Sequence, residues 1–401
     1  MLDTSHYLKS LHELTNRTYP LIHPHTRKKV NDIPDCTTEQ MEQAVKRSRI
    51  AFGEMKKLTS AERSVILEKA SVIIEANKQD IAETITLESG KPIRYALGEV
   101  DRTVQTLKFA SIEARKLEGE SIRLDAAPNG EGRDAYTIYQ PIGVVGAITP
   151  FNFPLNLVSH KVGPAIAAGN TIIVKPAEKT PLSAIKLALA LEKAGLPKDA
   201  LQVITGDGAR LGKVLIEHPD VAKITFTGSP KVGKLIKSQA GLKKVTLELG
   251  NNSALYIDES VHDRLKDIAN QAVVGAFSYN GQVCISTQRI YVHEKIREPF
   301  LEFLKEATEA LTYGDPLDAS TDVSAIIDEA SQSRILAWVE EAVKQGATLV
   351  TGGKPQGNGI TPTILTDVDS KSKVACEEVF GPVVIVNSVP DAADALVEMN
   401  D

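Results

Sequence analysis

The stretch GVVGAITPFNFPLNLVSHKVGPAIAAGNTIIVKPAEKTP, residues 143–181, decides the fold. It holds two short β-rich runs, residues 144–148 and 171–174, with a segment of helical length between them. Strands that alternate with helices are typical of βαβ units around a parallel sheet. A second alternating set begins near residue 248, so the sequence predicts two α/β domains. The other strand candidates are residues 201–204, 224–226, 245–247, 254–257, 289–292 and 348–350.

The region before this stretch predicts two further features. Residues 38–118 carry apolar side chains mostly at helical spacing, and Thr59 to Glu62 forms a capping-box pattern at one helix start. Residues 121–142 contain two strand-like runs around Pro-Asn-Gly-Glu-Gly, which predicts a β-hairpin. An isolated hairpin is marginally stable, and its open edge favours pairing with another chain.

Composition excludes several classes of protein. The 401 residues are 42% hydrophobic and 24% charged, which is typical of a globular protein and not of a disordered chain. The net charge of -6 and the lack of a basic block argue against a nucleic-acid partner. No apolar run approaches the ~20 residues of a membrane helix, and the N-terminus does not resemble a signal peptide. We therefore expect no membrane association and a cytoplasmic location.

The cysteines indicate free thiols rather than a disulfide framework. Cys36, Cys284 and Cys376 are three in number, so at least one is unpaired. A reducing compartment fits this count. The sequence has no HExxH segment and no Cys/His spacing of a zinc site, so we expect no metal.

Polar residues follow two of the predicted strands, where ligands bind in open α/β sheets. Asn152 lies between two prolines and could present its amide to a developing negative oxygen. Its simpler interpretation is a turn-forming residue. Lys175 and Glu178 could hold ribose hydroxyls at the same edge, or they form a solvated charged loop.

Two glycine patterns follow later strands. GDGARLG, residues 206–212, matches the dinucleotide pattern GxGxxG poorly, because its last glycine comes one residue late. GSPKVG, residues 228–233, opens a helix whose N-terminal amides suit a pyrophosphate. Glycine is common at any strand-to-helix turn, so neither pattern decides alone.

Glu248 and Cys284 are the candidate reactive groups. Glu248 lies in the apolar strand end LELG, where burial would raise the pKa of its carboxyl and let it act as a base. A carboxylate turned to solvent is the alternative. Cys284 follows the polar, permissive sequence Asn-Gly-Gln, which argues against an ordinary core cysteine.

Six segments together carry a family resemblance. They are PFNFPLN (150–156), KPAEKTP (175–181), FTGSPKVG (226–233), LELG (247–250), GQVC (281–284) and EEVFGPV (377–383). This ordered set resembles the aldehyde dehydrogenase superfamily from about residue 38 onward. The resemblance implies a Rossmann-like parallel-sheet cofactor domain over residues 1–120 and 143–247. It also implies an oligomerisation hairpin at 121–142 and an α/β catalytic domain at 248–401.

The resemblance also implies residue roles. Cys284 matches the catalytic thiol, Glu248 the general base, and Asn152 the oxyanion-binding amide. The residues implied to bind the cofactor are Thr149, Pro150, Phe151, Lys175, Glu178, Gly208, Phe226, Gly228, Ser229, Gly233, Leu249, Glu378 and Phe380. Relatives that transfer the acyl group to coenzyme A often lack the glutamate, so Glu248 favours hydrolysis.

The implied activity is NAD-dependent oxidation of a small aldehyde to its acid through a cysteine thiohemiacetal and thioester. NAD is expected over NADP, because a 2′-phosphate would approach the Glu178 carboxylate. The segments resemble the branch acting on lactaldehyde, sulfolactaldehyde and glyceraldehyde 3-phosphate, although Val283 argues against a phosphorylated substrate. Arg102 either approaches an anionic substrate tail or is a surface helix residue. Succinate semialdehyde and an inactive nucleotide-binding relative remain alternatives.

Two departures from the family pattern stand out. Asn251 replaces a second glycine after LELG, and we expect the site to tolerate it, because a left-handed backbone there would suit asparagine moderately. Relatives continue past Asp401, so the catalytic domain is expected to be incomplete at its C-terminus. Pairing through the hairpin implies a homodimer or homotetramer.

Overall fold

A computed structural model describes residues 2–400. The chain folds as two compact units. The first comprises Met1–Pro20, Asp32–Ile81 and Gly98–Glu248, and the second Leu21–Asn31, Ala82–Leu97 and Leu249–Asp401. The sequence placed residues 1–120 with the first domain as one block. The structure instead groups two short segments of that block with the second unit.

The α-helices lie in both units. They are α1 (Ser5–His12), α2 (Thr38–Met55), α3 (Ser60–Ala76), α4 (Lys78–Ser89), α5 (Ile93–Ala114), α6 (Asn156–Ala167), α7 (Leu182–Lys193), α8 (Gly208–Glu217), α9 (Pro230–Gln239), α10 (Leu265–Phe277), α11 (Arg297–Glu309), α12 (Glu329–Lys344), α13 (Lys373–Cys376) and α14 (Ala392–Asn400). The predicted capping box is confirmed, since Thr59 and Glu62 exchange side-chain and backbone hydrogen bonds at the start of α3.

The strands form two large sheets and three small ones. They are β1 (Thr18–Ile22), β2 (Lys29–Pro34), β3 (Ser121–Arg123), β4 (Asp134–Tyr136), β5 (Val144–Ile148), β6 (Thr171–Lys175), β7 (Leu201–Val203), β8 (Val221–Thr227), β9 (Lys244–Glu248), β10 (Ala254–Ile257), β11 (Arg289–His293), β12 (Thr348–Thr351), β13 (Pro355–Gln356), β14 (Gly359–Ile360), β15 (Thr363–Thr366) and β16 (Val383–Val389). Strands β3 and β4 form the predicted hairpin.

The first unit is built around a five-stranded sheet in the order β7-β6-β5-β8-β9. Every neighbouring pair in it is parallel, as the alternation of strands and helices predicted. Strand β5 reads VVGAI and is buried over its first four residues. Near-continuous apolar burial is typical of a central strand in a parallel sheet.

The second unit has a five-stranded sheet in the order β10-β11-β16-β15-β12. Its first four strands are parallel, whereas β12 runs antiparallel to β15. Strand β16 was not predicted, yet it lies in the middle of the sheet. Helices α10 and α11 supply Phe277, Phe300 and other apolar side chains to the core on this sheet. The predicted α/β fold class is confirmed for both units.

Candidate active site

The carboxyl ends of the first unit's strands carry the first group of predicted residues. Strands β5, β6, β8 and β9 are neighbours in the parallel sheet, so their carboxyl ends share one edge. Asn152 and Ser229 follow β5 and β8, while Lys175 and Glu248 are the last residues of β6 and β9. The topology thus brings these four residues to one edge, which the sequence predicted for Asn152 and Lys175.

The loop that holds Asn152 is fixed by a buried glutamate that the sequence did not identify. Glu99 Oε1 accepts hydrogen bonds from the backbone N–H groups of Leu155, at 2.9 Å, and Asn156, at 3.1 Å. These amides begin α6, where a carboxylate is favourable because helix N-termini have unpaired donors. Asn152 itself is only 2% exposed. Its side chain therefore sits in a defined position rather than in a mobile turn.

Lys175, Glu178 and Gly208 form a compact polar cluster. Lys175 Nζ donates to Glu178 Oε1 at 2.8 Å, and the Gly208 backbone N–H donates to the same oxygen. Burial lowers the pKa of Lys175, and the Glu178 carboxylate opposes that shift. A Cβ on Gly208 would lie 2.8 Å from Glu178 Oε1 and 3.0 Å from Lys175 Nζ. A side chain at Gly208 would therefore displace the ends of Glu178 and Lys175, so the cluster fits a glycine at the start of α8.

The turn into α9 also depends on a glycine. A Cβ on Gly228 would clash with the buried Phe226 ring. Ser229 is exposed, and its hydroxyl accepts a hydrogen bond from Val232 N at 3.4 Å as the helix cap. The other predicted members of this edge are Thr149, Pro150, Phe151 and, inside α9, Gly233. Of these, Thr149 has a buried Oγ1 without a hydrogen-bond partner among residues 2–400.

The surroundings of Glu248 decide between the two alternatives that the sequence left open, a buried carboxyl and one turned to solvent. Its side chain is exposed, because β9 is the edge strand and its residues alternate between the two faces. The buried titratable neighbour is Lys161, which is 6% exposed and donates to Thr225 Oγ1 and Thr227 Oγ1 at 3.2 and 2.7 Å.

Lys161 is a residue that the sequence analysis missed. Burial lowers its pKa to about 8, and the Glu248 carboxylate opposes that shift. The available signal was its place in the apolar run VSHKVGPAI, where a lysine needs polar partners.

In the second unit the predicted residues lie at the opposite ends of their strands. Leu249 and Gly250 precede β10, Cys284 precedes β11, and Glu378 precedes β16. Strands β10, β11 and β16 are parallel neighbours, so these segments share the amino-end edge of the sheet. The topology thus brings the candidate thiol and the EEVFGP segment to one edge.

Side-chain amides connect these amino-end segments. Asn251 Nδ2 donates to the Cys284 carbonyl, and Asn252 Nδ2 donates to the Ala375 carbonyl. Gln288 Nε2 donates to the Glu377 carbonyl at 2.7 Å, and its Oε1 accepts from Val379 N at 2.7 Å. None of these three amides was predicted to have this role.

Asn251 does not adopt the left-handed backbone that the sequence analysis considered for it. Asn251 does not occur among the residues of positive φ in the described part of the chain. At the position of the family's glycine, Asn251 instead uses its side-chain amide, which donates a hydrogen bond to the Cys284 carbonyl.

Glu378 has the surroundings expected of a residue that binds a polar ligand. A Cβ on Gly250 would clash with its carboxylate, so the carboxylate and this backbone are in close approach. Burial raises the pKa of Glu378, and a backbone hydrogen bond from Asn251 and the charge of Arg334 oppose that shift. Its Oε1 is buried and has no hydrogen-bond partner in residues 2–400. A ribose hydroxyl would satisfy this oxygen. Phe380 nearby in the chain has a φ of 51°.

None of the three cysteines forms a disulfide, and their environments differ. Cys36 is buried, and burial raises the pKa of its thiol to about 11. Cys376 is exposed, and Cys284 is partly exposed. Over residues 2–400 no group of His, Cys, Asp and Glu side chains is arranged to hold a metal ion. The helices of this same range lack the combination of length and apolarity needed to cross a membrane.

Comparison with known proteins gives a consistent result. A sequence model of the aldehyde dehydrogenase family matches residues 12–401. The 3-sulfolactaldehyde dehydrogenase of Priestia aryabhattai is 43% identical over 395 residues, which are 98% of this chain and 82% of that protein. The mitochondrial succinate-semialdehyde dehydrogenase of Arabidopsis thaliana is 36% identical over 98% of this chain and 74% of its own length.

Solved structures agree with the sequence comparisons. An NADP-dependent enzyme of E. coli superposes with a TM-score of 0.93 at 33% identity, covering 96% of this chain and 80% of its own. An NAD-dependent aldehyde dehydrogenase from Sinorhizobium meliloti has a TM-score of 0.92 at 33% identity. The match covers 96% of this chain and 77% of that protein. The matched family model spans nearly the whole chain, and the similar structures share its fold. The chain belongs to the aldehyde dehydrogenase family.

Proposed function

We propose that this enzyme oxidises a small aldehyde to its carboxylic acid with NAD, using Cys284 as the nucleophile. The observation that carries the proposal is the amino-end edge of the second sheet. There the Asn251 amide holds the Cys284 carbonyl, and the Glu378 carboxylate lies against Gly250. A candidate thiol and a buried, unsatisfied acceptor for a ribose thus share one cluster of loops.

The first half-reaction uses the thiol and an amide. The Cys284 thiol gives its proton to water, the resulting thiolate sulfur bonds to the aldehyde carbon, and the carbonyl oxygen becomes an oxyanion in a thiohemiacetal. The proposal assigns the amide of Asn152 to stabilise that charge, since a buried donor costs no reorganisation during the reaction. When bound, NAD or NADP would supply the acceptor for the hydride that leaves the substrate carbon. The acyl group then remains on Cys284 as a thioester.

The second half-reaction uses Glu248. Its carboxylate takes a proton from water, the hydroxide attacks the thioester carbon, and the Cys284 sulfur leaves with regeneration of the thiol. The exposure of Glu248 supports this role, because a water molecule must reach its oxygen atoms.

NAD is proposed over NADP because of the Lys175, Glu178 and Gly208 cluster. The Lys175 charge is already paired with Glu178, whose side chain remains 44% exposed. A ribose 2′-hydroxyl can donate to this carboxylate, whereas a 2′-phosphate would place two negative charges together. The cofactor site of the first unit would further include Gly228 and Ser229 at the start of α9.

The hairpin and the thiols support two more parts of the proposal. The segment from β3 to residue 142 exposes Ile122, Tyr136, Ile138 and Tyr139, which favours assembly of copies into a homo-oligomer. The proposal divides the chain into a cofactor domain ending at residue 247 and a catalytic domain from residue 248. A catalytic cysteine that forms no disulfide fits a reducing compartment such as the cytoplasm.

The test combines alkylation with turnover. Iodoacetamide is expected to modify Cys284 before the exposed Cys376, and Cys36 last because burial disfavours its thiolate. Cys284→Ser should abolish aldehyde-dependent reduction of NAD, while Cys376→Ser serves as the matched control and should retain it. Full activity in the Cys284→Ser variant would overturn the assignment.

A further inference from the structure

The inference concerns Lys91, a buried lysine in the short connection between α4 and α5. Its side chain is among the largest fully buried ones of residues 2–400, together with that of Tyr279. Lys91 Nζ lies 4.7 Å from the centroid of the Tyr279 ring, which is the geometry of a cation–π contact. A buried ammonium is costly without compensating partners, and the electron-rich face of this ring supplies part of that compensation.

Tyr279 begins a left-handed turn shortly before the candidate nucleophile. Helix α10 ends at Phe277, and the φ angles of Tyr279, Asn280 and Gly281 are 49°, 56° and 66°. Cys284 is the third residue after this turn. Glycine and, less often, asparagine adopt a left-handed backbone readily, whereas a tyrosine does so at a steric cost. Such strain persists where the surrounding structure holds it, and it is common at functional sites.

The connection between α4 and α5 holds both parts of the Tyr279 side chain. The Tyr279 hydroxyl donates to the Ser89 carbonyl at 2.9 Å, while the Lys91 ammonium lies over the ring. Ser89 also anchors the connection, because its Oγ donates to the Ile85 carbonyl of α4 at 2.6 Å and accepts from the Lys91 N–H at 3.3 Å. Lys91 therefore acts on the ring from a supported segment.

The rest of the turn has hydrogen bonds of its own. Asn280 Nδ2 donates to the Ser324 carbonyl at 2.6 Å, and Asn280 Oδ1 accepts from the Ser324 N–H at 2.9 Å. The Gln282 N–H donates to the Tyr279 carbonyl at 3.0 Å and closes the turn. A shift of the Tyr279 backbone would therefore be transmitted to Gln282, two residues before the candidate thiol.

We propose that Lys91 is a positioning residue for Cys284 and acts through Tyr279. The buried charge holds the ring, the ring holds the left-handed backbone, and that backbone sets the direction in which the chain enters Cys284. The gain from a desolvated cation–π contact and the cost of a left-handed tyrosine are of similar size, so loss of the contact is enough to release the turn. This inference rests on the proposed function, because it takes Cys284 as the nucleophile.

The first test is Lys91→Met, which removes the charge and keeps a long unbranched side chain. We expect kcat to fall by about 10- to 100-fold, because a small misplacement of a reacting atom has effects of that size. The Kd for NAD should stay at the wild-type value, because the charge acts on the thiol and not on the cofactor. Unchanged kcat, or an equal loss of NAD affinity, would overturn the positioning role while leaving the proposed function intact.

Arg94→Gln is the matched control. Arg94 belongs to the same unit, and its guanidinium carbon also lies 4.7 Å from an aromatic centroid, that of Tyr95. This substitution removes a cation–π contact of the same length outside the turn, so kcat should stay at the wild-type value. A loss as large as that of Lys91→Met would contradict a specific role for Lys91.

A graded series separates the cation–π contact from side-chain packing. Tyr279→Phe, alone and with one, two or three ring fluorines, keeps nearly the same shape, while each fluorine withdraws electron density from the ring face. We expect the logarithm of kcat to fall stepwise with fluorine number when Lys91 is present and to stay level in Lys91→Met. The same slope in both backgrounds, or no slope with Lys91 present, would overturn the contact.

Hydrogen exchange tests the turn without turnover. In Lys91→Met the protected amides of residues 279–286 should exchange about tenfold or more faster than in the wild type, because the released turn opens more often. Arg94→Gln should exchange there as the wild type does. Equal exchange in all three proteins would overturn the inference even if no aldehyde is oxidised. Absence of turnover with every aldehyde would instead count against the proposed function.

Discussion

The two five-stranded sheets present their candidate residues at opposite strand ends. In the first sheet, Asn152, Lys175 and Glu248 lie at the carboxyl ends, where open α/β sheets bind ligands. In the second sheet, Cys284 and Glu378 lie in segments that precede strands β11 and β16. Binding beyond the carboxyl ends of strands is thus a useful guide to the candidate residues of the first unit but not to those of the second.

The two edges are also built by different interactions. The carboxyl-end edge uses charged side chains and glycines at helix starts, as in the Lys175, Glu178 and Gly208 cluster. The amino-end edge uses side-chain amides bound to backbone carbonyls, as Asn251 and Gln288 show. The difference teaches that the first edge presents charged side chains, whereas amide contacts position the loops of the second.

The largest expected effect tests the first edge. Glu248→Gln should lower steady-state turnover by roughly 10²- to 10⁴-fold, because glutamine cannot accept the proton from water. Acylation should survive, so a burst of reduced cofactor equal to the enzyme concentration should precede the stall. Glu113→Gln, an exposed substitution elsewhere in the first unit, is the control. Unchanged steady-state turnover would remove Glu248 from the mechanism.

The next effect concerns the buried lysine beside that edge. The folded-state pKa of Lys161 is about 8, below the ~10.4 of an unfolded lysine. The unfolded chain therefore binds more protons between these values, and the free energy of unfolding rises with pH across that window. Below pH 8 Lys161 is charged in the folded protein, and its burial lowers the free energy of unfolding by the full amount. At 1.36 kcal/mol per pKa unit this amount is roughly 3 kcal/mol.

Lys161→Met should remove this pH dependence. Its stability relative to the wild type should fall by about 2–3 kcal/mol between pH 7 and pH 10, because only the wild type relieves a buried charge. Thermal midpoints at several pH values measure this, with the exposed Lys244→Met as control. A difference that stays constant with pH would show that Lys161 keeps an ordinary pKa.

Gly250→Ala tests the second edge through sterics alone. The added Cβ would clash with the Glu378 carboxylate, which must then move. We expect KM for NAD to rise about tenfold, the equivalent of about 1.4 kcal/mol. Gly53→Ala in α2 has open space around the new Cβ and should stabilise the protein by up to about 1 kcal/mol. A wild-type KM for NAD in Gly250→Ala would show that Glu378 does not take part in cofactor binding.

The smallest effect concerns cofactor choice at the first edge. Glu178→Gln removes the carboxylate while keeping its shape, so the preference for NAD over NADP should fall by about tenfold or less. The freed Lys175 charge adds to this change, because it no longer has its partner at 2.8 Å. The kcat/KM values for both cofactors measure the preference. Equal values in the wild-type enzyme would contradict the role of this carboxylate.

The amino-acid sequence by itself determined the local elements and the family. The strands Val144–Ile148 and Ala254–Ile257 match their predicted bounds, because apolar patterning and flanking turns are local properties. The six ordered segments indicated the family that the comparisons then showed. For Arg102 the sequence left two alternatives open, a contact with an anionic substrate and an ordinary place on a helix surface. The sequence does not show what a helix residue contacts.

Only the tertiary structure decided which segments meet and how each is solvated. Residues 383–389 form the central strand β16 through pairing with β11, about a hundred positions earlier in the chain. That long-range pairing puts the Glu378 segment and the Cys284 segment at one edge. The exposure of Glu248 and the burial of Lys161 likewise depend on which strand is the sheet edge and which helix covers it. Burial is a property of the packed chain, so the apolar run around Lys161 was a signal of burial that the sequence alone did not decide.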